Sequence, residues 1–215
     1  LLIASDLERG AGQQMKGATL FPSNMAIAAT GDSYNAYLQG QITAKEAKTL
    51  GIHMIFAPVL DVNNNPNNPI INLRAYSDHP DIVSDFGLQF IKGIQDQGLY
   101  ACPKHFPGHG NTSIDSHTSL PIIMSSISEL NKIELKPFKN AVDNNVKMMM
   151  MAHIAMPALD ASKKPASHSY KITTDLLMNE WNFDGLIITD GMEMSGITQE
   201  AWSGEAAIRA IEAGS

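Results

Sequence analysis

The sequence predicts an α/β protein made of βα units on a parallel sheet, and two observations predict it. Five short apolar, β-prone runs (residues 1–4, 53–59, 99–102, 146–152 and 186–189) alternate with segments of helical spacing. That is the pattern of parallel strands joined by crossover helices. Each run also delivers ionisable residues just past its end: Asp6 and Glu8, then Asp61, then Lys104 and His105, then His153, then Asp190. Such residues at the carboxyl ends of consecutive parallel strands converge on one face, where α/β enzymes keep their chemistry. A single Asp or His there could be no more than a helix cap. Five in succession point to a shared site.

The helical segments follow in order. Residues 32–50 form the first, expected to break at Gly40. Residues 81–97 form the second, with Ile82, Phe86, Phe90, Ile91 and Ile94 near a 3.6 period and Ser77 or Asp78 as the cap. The third covers 128–144, carrying Leu130, Ile133, Phe138, Ala141 and Val142, with Pro137 disturbing its middle. A short fourth spans 173–181 and a fifth opens at 204–213. The Asn- and Pro-rich stretch 63–72 has the chemistry of a long surface loop. No repeat, low-complexity tract or interdomain linker interrupts the chain, so residues 1–215 are expected to form one domain.

Composition narrows the function classes. With 215 residues, 44% of them hydrophobic and 17% charged, the chain can bury a sizeable core. A formal charge of -7 without any run of Lys or Arg argues against nucleic acid or an anionic membrane as partner. No apolar run approaches the length of a membrane span. The one cysteine, Cys102, excludes an internal disulfide, and its apolar strand makes it a small core residue. Leu1 already lies in a strand-like run, so further chain is expected ahead of it.

The segment Lys104-His105-Phe106-Pro107-Gly108-His109-Gly110-Asn111-Thr112-Ser113-Ile114-Asp115-Ser116-His117 concentrates three of the seven histidines directly after a strand. It is too bent and polar for a helix, a strand or a core, so it is explained by what it binds or does. Together with Asp115-Ser116-His117, its Lys-His-Phe-Pro-Gly-His-Gly start resembles the signature of glycoside hydrolase family 3, in its β-N-acetylhexosaminidase branch. Ile187-Ile188-Thr189-Asp190-Gly191-Met192-Glu193-Met194 is similar to that family's nucleophile segment. Ser5-Asp6-Leu7-Glu8-Arg9-Gly10, Phe56-Ala57-Pro58-Val59-Leu60-Asp61-Val62 and Asn72-Leu73-Arg74-Ala75-Tyr76 fall in the family's order as well.

The resemblance implies a (β/α)8 TIM-barrel-like catalytic domain, present here as a partial barrel lacking its first and last strands. A full barrel takes about 250 residues. It implies a retaining glycosidase that removes terminal, non-reducing β-linked N-acetylglucosamine through a covalent glycosyl-enzyme, in peptidoglycan turnover or recycling. It requires neither a metal nor an organic cofactor, and its partner is a carbohydrate substrate. Asp190 becomes the nucleophile. His117 becomes the acid/base, oriented by Asp115, with an imidazole suited to proton transfer near neutral pH. Gly108 and Gly110 would let their loop bend and move.

Asp6, Arg74, Lys104 and His105 are the expected substrate-binding residues, and Asp61 the brace of the loop carrying Arg74. Glu193 lies past the strand tip and is expected to face solvent, while Asp184 belongs at the opposite end of the strands. Gln14 stands where the family often has a substrate-binding arginine, which puts the outer part of the site in question. Met148 to Met151 are read as core, and His53, His79 and His168 as structural or solvated; His153 lines the face without an assigned role. Two rival readings stay open. His105, His109, Asp115 and His117 could be the ligands of a metal-dependent hydrolase, or the chain could be a non-catalytic sugar-binding barrel.

Overall fold

The computed structural model describes residues 1–116, 119–194, 197 and 202–215, and in these the five apolar runs each contribute a strand. In order they are β1 (Ala4–Ser5), β2 (Met54–Ile55), β3 (Tyr100–Ala101), β4 (Met148–Met151) and β5 (Leu186–Thr189). All ladders are parallel and follow chain order. Ala4 pairs with Met54, Met54 with Tyr100, and Met148 with Leu186. A bridge from Phe106 to Met151 joins the first three strands to the last two, and another links Val59 to Lys104. Pro58 has no N–H to offer a ladder, which is why the run 53–59 pairs only at its start and again at Val59.

The helices are α1 (Asn24–Ala28), α2 (Tyr34–Thr49), α3 (Pro80–Gln95), α4 (Ile127–Lys132), α5 (Leu135–Asp143), α6 (Lys171–Glu180) and α7 (Ser203–Ala213). Three differ from expectation for identifiable reasons. Gly40 does not break α2. A Cβ there would lie 2.4 Å from the Phe90 carbonyl oxygen, so this glycine lets α2 and α3 touch backbone to backbone, as Gly93 does from the other side. Pro137 does not disturb a helix middle either. The segment divides at Ile133 and Glu134, leaving Pro137 in the first turn of α5, where its missing N–H costs nothing. Helix α3 starts on Pro80 after His79, without a side-chain cap, and Ser77 Oγ instead accepts from His79 N. Helix α4 has a cap that the expectation overlooked, a reciprocal pair between Ser126 and Glu129. Helix α6 is π-wound, ending with Trp181 N on Leu176 O.

Strand β4 is buried on both faces, as a strand inside a parallel sheet covered by helices should be. Met149 and Met151 join the main core with Phe90, Phe106, Phe138 and Trp181, where Phe106 sits edge-on to Phe138 and Trp181 at 5.5 Å from each. Met148 and Met150 point the other way and pack with Cys102, Met54, Phe56 and Ile188. The period of two through four methionines thus assigns each to one of two cores. The Cys102 thiol is buried in this inner layer, which drives its pKa upward and leaves it inert. Among the described residues no helix is long and apolar enough to cross a membrane.

Candidate active site

The chain leaves every strand on the same side, and the side chains found there close around one cleft of about 470 Å³. Its lining includes Asp6, Glu8, Arg74, Lys104, His105 and Asp190. Two larger clefts, about 790 and 720 Å³, lie away from the strand ends. Asp184, by contrast, is exposed beside Leu2, Tyr100 and Leu186 at the opening ends of the strands.

Past β1 the extended chain sends Leu7 into the core while Asp6 and Glu8 turn to the cleft. Glu8 accepts a two-pronged hydrogen bond from Arg74, Nε to Oε2 at 3.0 Å and Nη2 to Oε1 at 2.8 Å. Lys104 Nζ completes the lattice at 2.8 Å from Glu8 Oε1 and 2.6 Å from Asp6 Oδ1. Burial alone would raise the Glu8 pKa, but Arg74 and Lys104 outweigh it and bring the carboxyl to about 2. Glu8 in turn, with Asp6 beside Lys104 and with Asp61 and Asp190 near Arg74, holds both cations charged against their own burial. Glu8 is the residue whose role the sequence analysis left out. The signal was present in its i, i+2 relation to Asp6 across a buried leucine.

Arg74 Nη2 lies 3.4 Å from His105 Nε2, and His105 Nδ1 lies 2.6 Å from Asp61 Oδ2. Arginine only donates and an ionised carboxylate only accepts, so the hydrogen-bond pattern puts the ring proton on Nδ1. Asp61 is fully buried and also accepts from the backbone N–H of His105 and, at 2.6 Å, of His109. Burial pushes its carboxyl up, but the histidines and these amides pull it lower overall. Asp61 therefore braces the segment after Lys104, not the loop of Arg74 as expected. That loop is held by Asn24 Nδ2 on the Arg74 carbonyl and by Asn68, whose Oδ1 accepts from Ile70 N and Ile71 N. Asn68 Nδ2 in turn donates to the carbonyls of His109 and Gly110. Gly110 lets the loop come close to the β2 side, because a Cβ there would sit 1.6 Å from the Val62 oxygen.

Asp190 stands at the tip of β5, half buried. Its N–H donates to Met151 O at 2.9 Å, and its Oδ1 accepts from Gly191 N at 2.8 Å. Burial raises its pKa, yet His105, the Gly191 amide, His153 and Lys104 together lower it, so the carboxylate is ionised. Glu193 is exposed and folds back over Gly191. The buried His153, at the end of β4, approaches Ser167 Oγ with Nδ1 at 2.8 Å and Gly191 O with Nε2 at 3.0 Å.

His117 lies outside the described residues. Asp115, half buried, accepts from Ser119 N through its carbonyl, and the next residue, Ser116, lines the cleft with its Oγ 2.9 Å from His109 Nε2. Burial lowers His109 to about 4, so its ring is neutral. Gln14 turns back to donate to the Asp6 carbonyl at 3.2 Å, holding the β1 tip. His105 and His109 commit one nitrogen each to Asp61 and Ser116, and among the described residues no three His, Cys, Asp or Glu side chains gather as a metal would require.

The family model described as the glycosyl hydrolase family 3 N terminal domain matches residues 1–215. A β-hexosaminidase A of Pseudoalteromonas piscicida is 40% identical over 231 residues, covering 100% of this chain and 38% of that protein. A β-N-acetylglucosaminidase/β-glucosidase of Cellulomonas fimi is 33% identical, with 100% and 40% covered. The solved structure of a family 3 β-N-acetylglucosaminidase from Paenibacillus sp. str. FPU-7 superposes with a TM-score of 0.97 at 42% identity, covering 100% of this chain and 41% of that one. The chain thus spans about two fifths of the length of these relatives. Motif, fold and full-length match agree: the chain belongs to glycosyl hydrolase family 3, within its N-terminal domain.

Proposed function

We propose that this protein hydrolyses terminal, non-reducing β-linked N-acetylglucosamine with retention of configuration, and that peptidoglycan turnover is its setting. The observation that carries the reading is the meeting of an ionised, strand-tip Asp190 with Lys104, His105, Arg74 and Asp6 in one cleft. Residues 1–215 form one catalytic unit in this reading, a partial (β/α)8 barrel. Sequential, all-parallel strand order and an inner side-chain layer of Met148, Met150 and Cys102 support that architecture.

In the first step an Asp190 oxygen bonds to the anomeric carbon as the bond to the leaving oxygen breaks, and His117 gives that oxygen its proton. In the second, water attacks the anomeric carbon, its proton returns to His117, and the bond to Asp190 breaks. A histidine donor is supported by the state of the neighbouring carboxylates. Glu8, at about 2, holds no proton to give near neutral pH, and Asp6 engages Lys104. Lys104, Asp6, Arg74 and His105 hold the sugar hydroxyls. Asp115 orients the His117 ring. The relatives' names, a β-hexosaminidase and a β-N-acetylglucosaminidase/β-glucosidase, support the substrate class.

The test is kinetic and stereochemical, on the intact protein. Aryl β-N-acetylglucosaminide should be turned over faster than aryl β-glucoside, and NMR should find the β-anomer of the sugar first. An α-anomer as first product, or no turnover of either glycoside, would remove the reading.

A further inference from the structure

We propose that His153 is the positioning residue of the nucleophile: its Nε2–H holds the Gly191 carbonyl and thereby sets the direction of the Asp190 carboxylate. The proposal rests on the reading of Asp190 as nucleophile. Asp190 leaves β5 through its N–H bond to Met151 O, and its Oδ1 is drawn by the Gly191 amide. The plane of the 190–191 peptide therefore decides one side of the carboxylate, and the Gly191 carbonyl continues that backbone turn. His153 Nε2 reaches this carbonyl at 3.0 Å from the neighbouring strand tip.

The chemistry of the ring leaves one arrangement. A carbonyl only accepts, so Nε2 must carry the hydrogen. Burial lowers the His153 pKa, so near neutral pH the ring has a single proton and Nδ1 is an acceptor. Ser167 is fully buried, and its hydroxyl, 2.8 Å from Nδ1, donates there and locks the tautomer. A neutral ring suits the task, because a fixed cation at this distance would draw on the charge that Asp190 must give to the sugar. The two contacts span 14 and 38 residues of chain, so no local motif announces them.

Two polar substitutions separate this role from simple packing. In His153→Gln the side-chain amide nitrogen falls near the Nε2 position and can still donate to Gly191 O. In His153→Asn the amide falls near Nδ1, keeping Ser167 company but leaving Gly191 O without its donor. The readout is inactivation by a 5-fluoro N-acetylglucosaminyl sugar with an activated leaving group, resolved into a rate constant and a binding constant. Labelling of wild-type Asp190 tests the nucleophile reading by itself. Given that labelling, His153→Gln should react within about threefold of wild type, since one comparable hydrogen bond is kept. His153→Asn should react about 10²-fold more slowly, the size of effect expected from a small misplacement of a reacting group. Sugar binding should be unchanged in both, because the sugar is gripped from the β1–β3 side. Equal rate constants in the two variants, or a faster Asn than Gln variant, would overturn the proposal. So would a loss confined to binding.

Discussion

On the β1–β3 side of the cleft the side chains are held by buried carboxylates and cations. Glu8 carries Arg74 and Lys104, Lys104 also carries Asp6, and the Asp61 carboxylate accepts from His105 Nδ1. On the β4–β5 side Asp190 and His153 are held by neutral partners: a backbone amide, a backbone carbonyl and a serine hydroxyl. Binding a neutral sugar asks for rigid donors and acceptors in fixed places, and a buried ionic lattice provides them. Nucleophilic attack asks for a carboxylate without a direct ion pair, and the hydrogen-bond donor on Asp190 is the Gly191 amide, with Lys104 and His105 acting on it only at longer range. In the proposed reading, ionic partners thus fix the half that would grip the sugar, and neutral hydrogen bonds aim the half that would react.

The largest predicted effect breaks the reacting half. Asp190→Ala should lower kcat on aryl β-N-acetylglucosaminide by on the order of 10⁴–10⁶-fold, as removal of other enzymic nucleophiles does, while the melting temperature holds. Next, His117→Ala should reduce hydrolysis of a disaccharide-type substrate by about 10²–10⁴-fold and spare glycosylation by an activated aryl glycoside. Azide should then relieve the slow second step. Equal losses on good and poor leaving groups, without rescue, would assign the proton to another group.

The gripping half should fail as structure before it fails as chemistry. Glu8→Gln leaves buried cations short of their shared partner and should cost about 3–5 kcal/mol in a denaturant titration. The pH dependence gives a second handle. Glu8 falls from its ordinary 4.5 to about 2 in the fold, so its contribution of ~3 kcal/mol is full above pH 4.5 and lost as pH falls towards 2. His109, lowered from 6.5 to about 4, makes stability fall earlier, as pH drops from 6.5 to 4, because the unfolded chain takes the proton first. Glu8→Gln should flatten only the more acidic slope. A single slope in wild type would contradict the lattice described. The smallest effect is expected for Asp115→Ala, a milder version of the His117 pattern, roughly tenfold on the poor leaving group, because Asp115 tunes an imidazole without carrying the proton.

Much of this arrangement was legible in the chain. The strands appear where apolar runs meet ionisable ends, and Asp6, Arg74, Lys104, His105 and Asp190 do come together. What periodicity cannot report is a partner far along the chain. Glu8 meets Arg74 across 66 residues and Lys104 meets Asp6 across 98, so the lattice was invisible although its members stood at the right strand ends. Asp61 was placed with the wrong loop for the same reason. Gly40 and Pro137 were misread because local propensity treats both as breakers. Tertiary contact makes one a point of close approach, and a helix start makes the other harmless. His153 was marked only by its place at a strand end, because its contacts with Ser167 and Gly191 lie 14 and 38 residues away.

The central claim is that Asp190 is the carboxylate reserved for bond formation. Wild-type protein should be inactivated by the fluorinated N-acetylglucosaminyl-type sugar, then digested and sequenced by mass spectrometry. The account predicts one added glycosyl group, on Asp190, in the peptide containing Ile187-Ile188-Thr189-Asp190-Gly191. A label on Glu193 or Asp6, or inactivation without any covalent adduct, would contradict it.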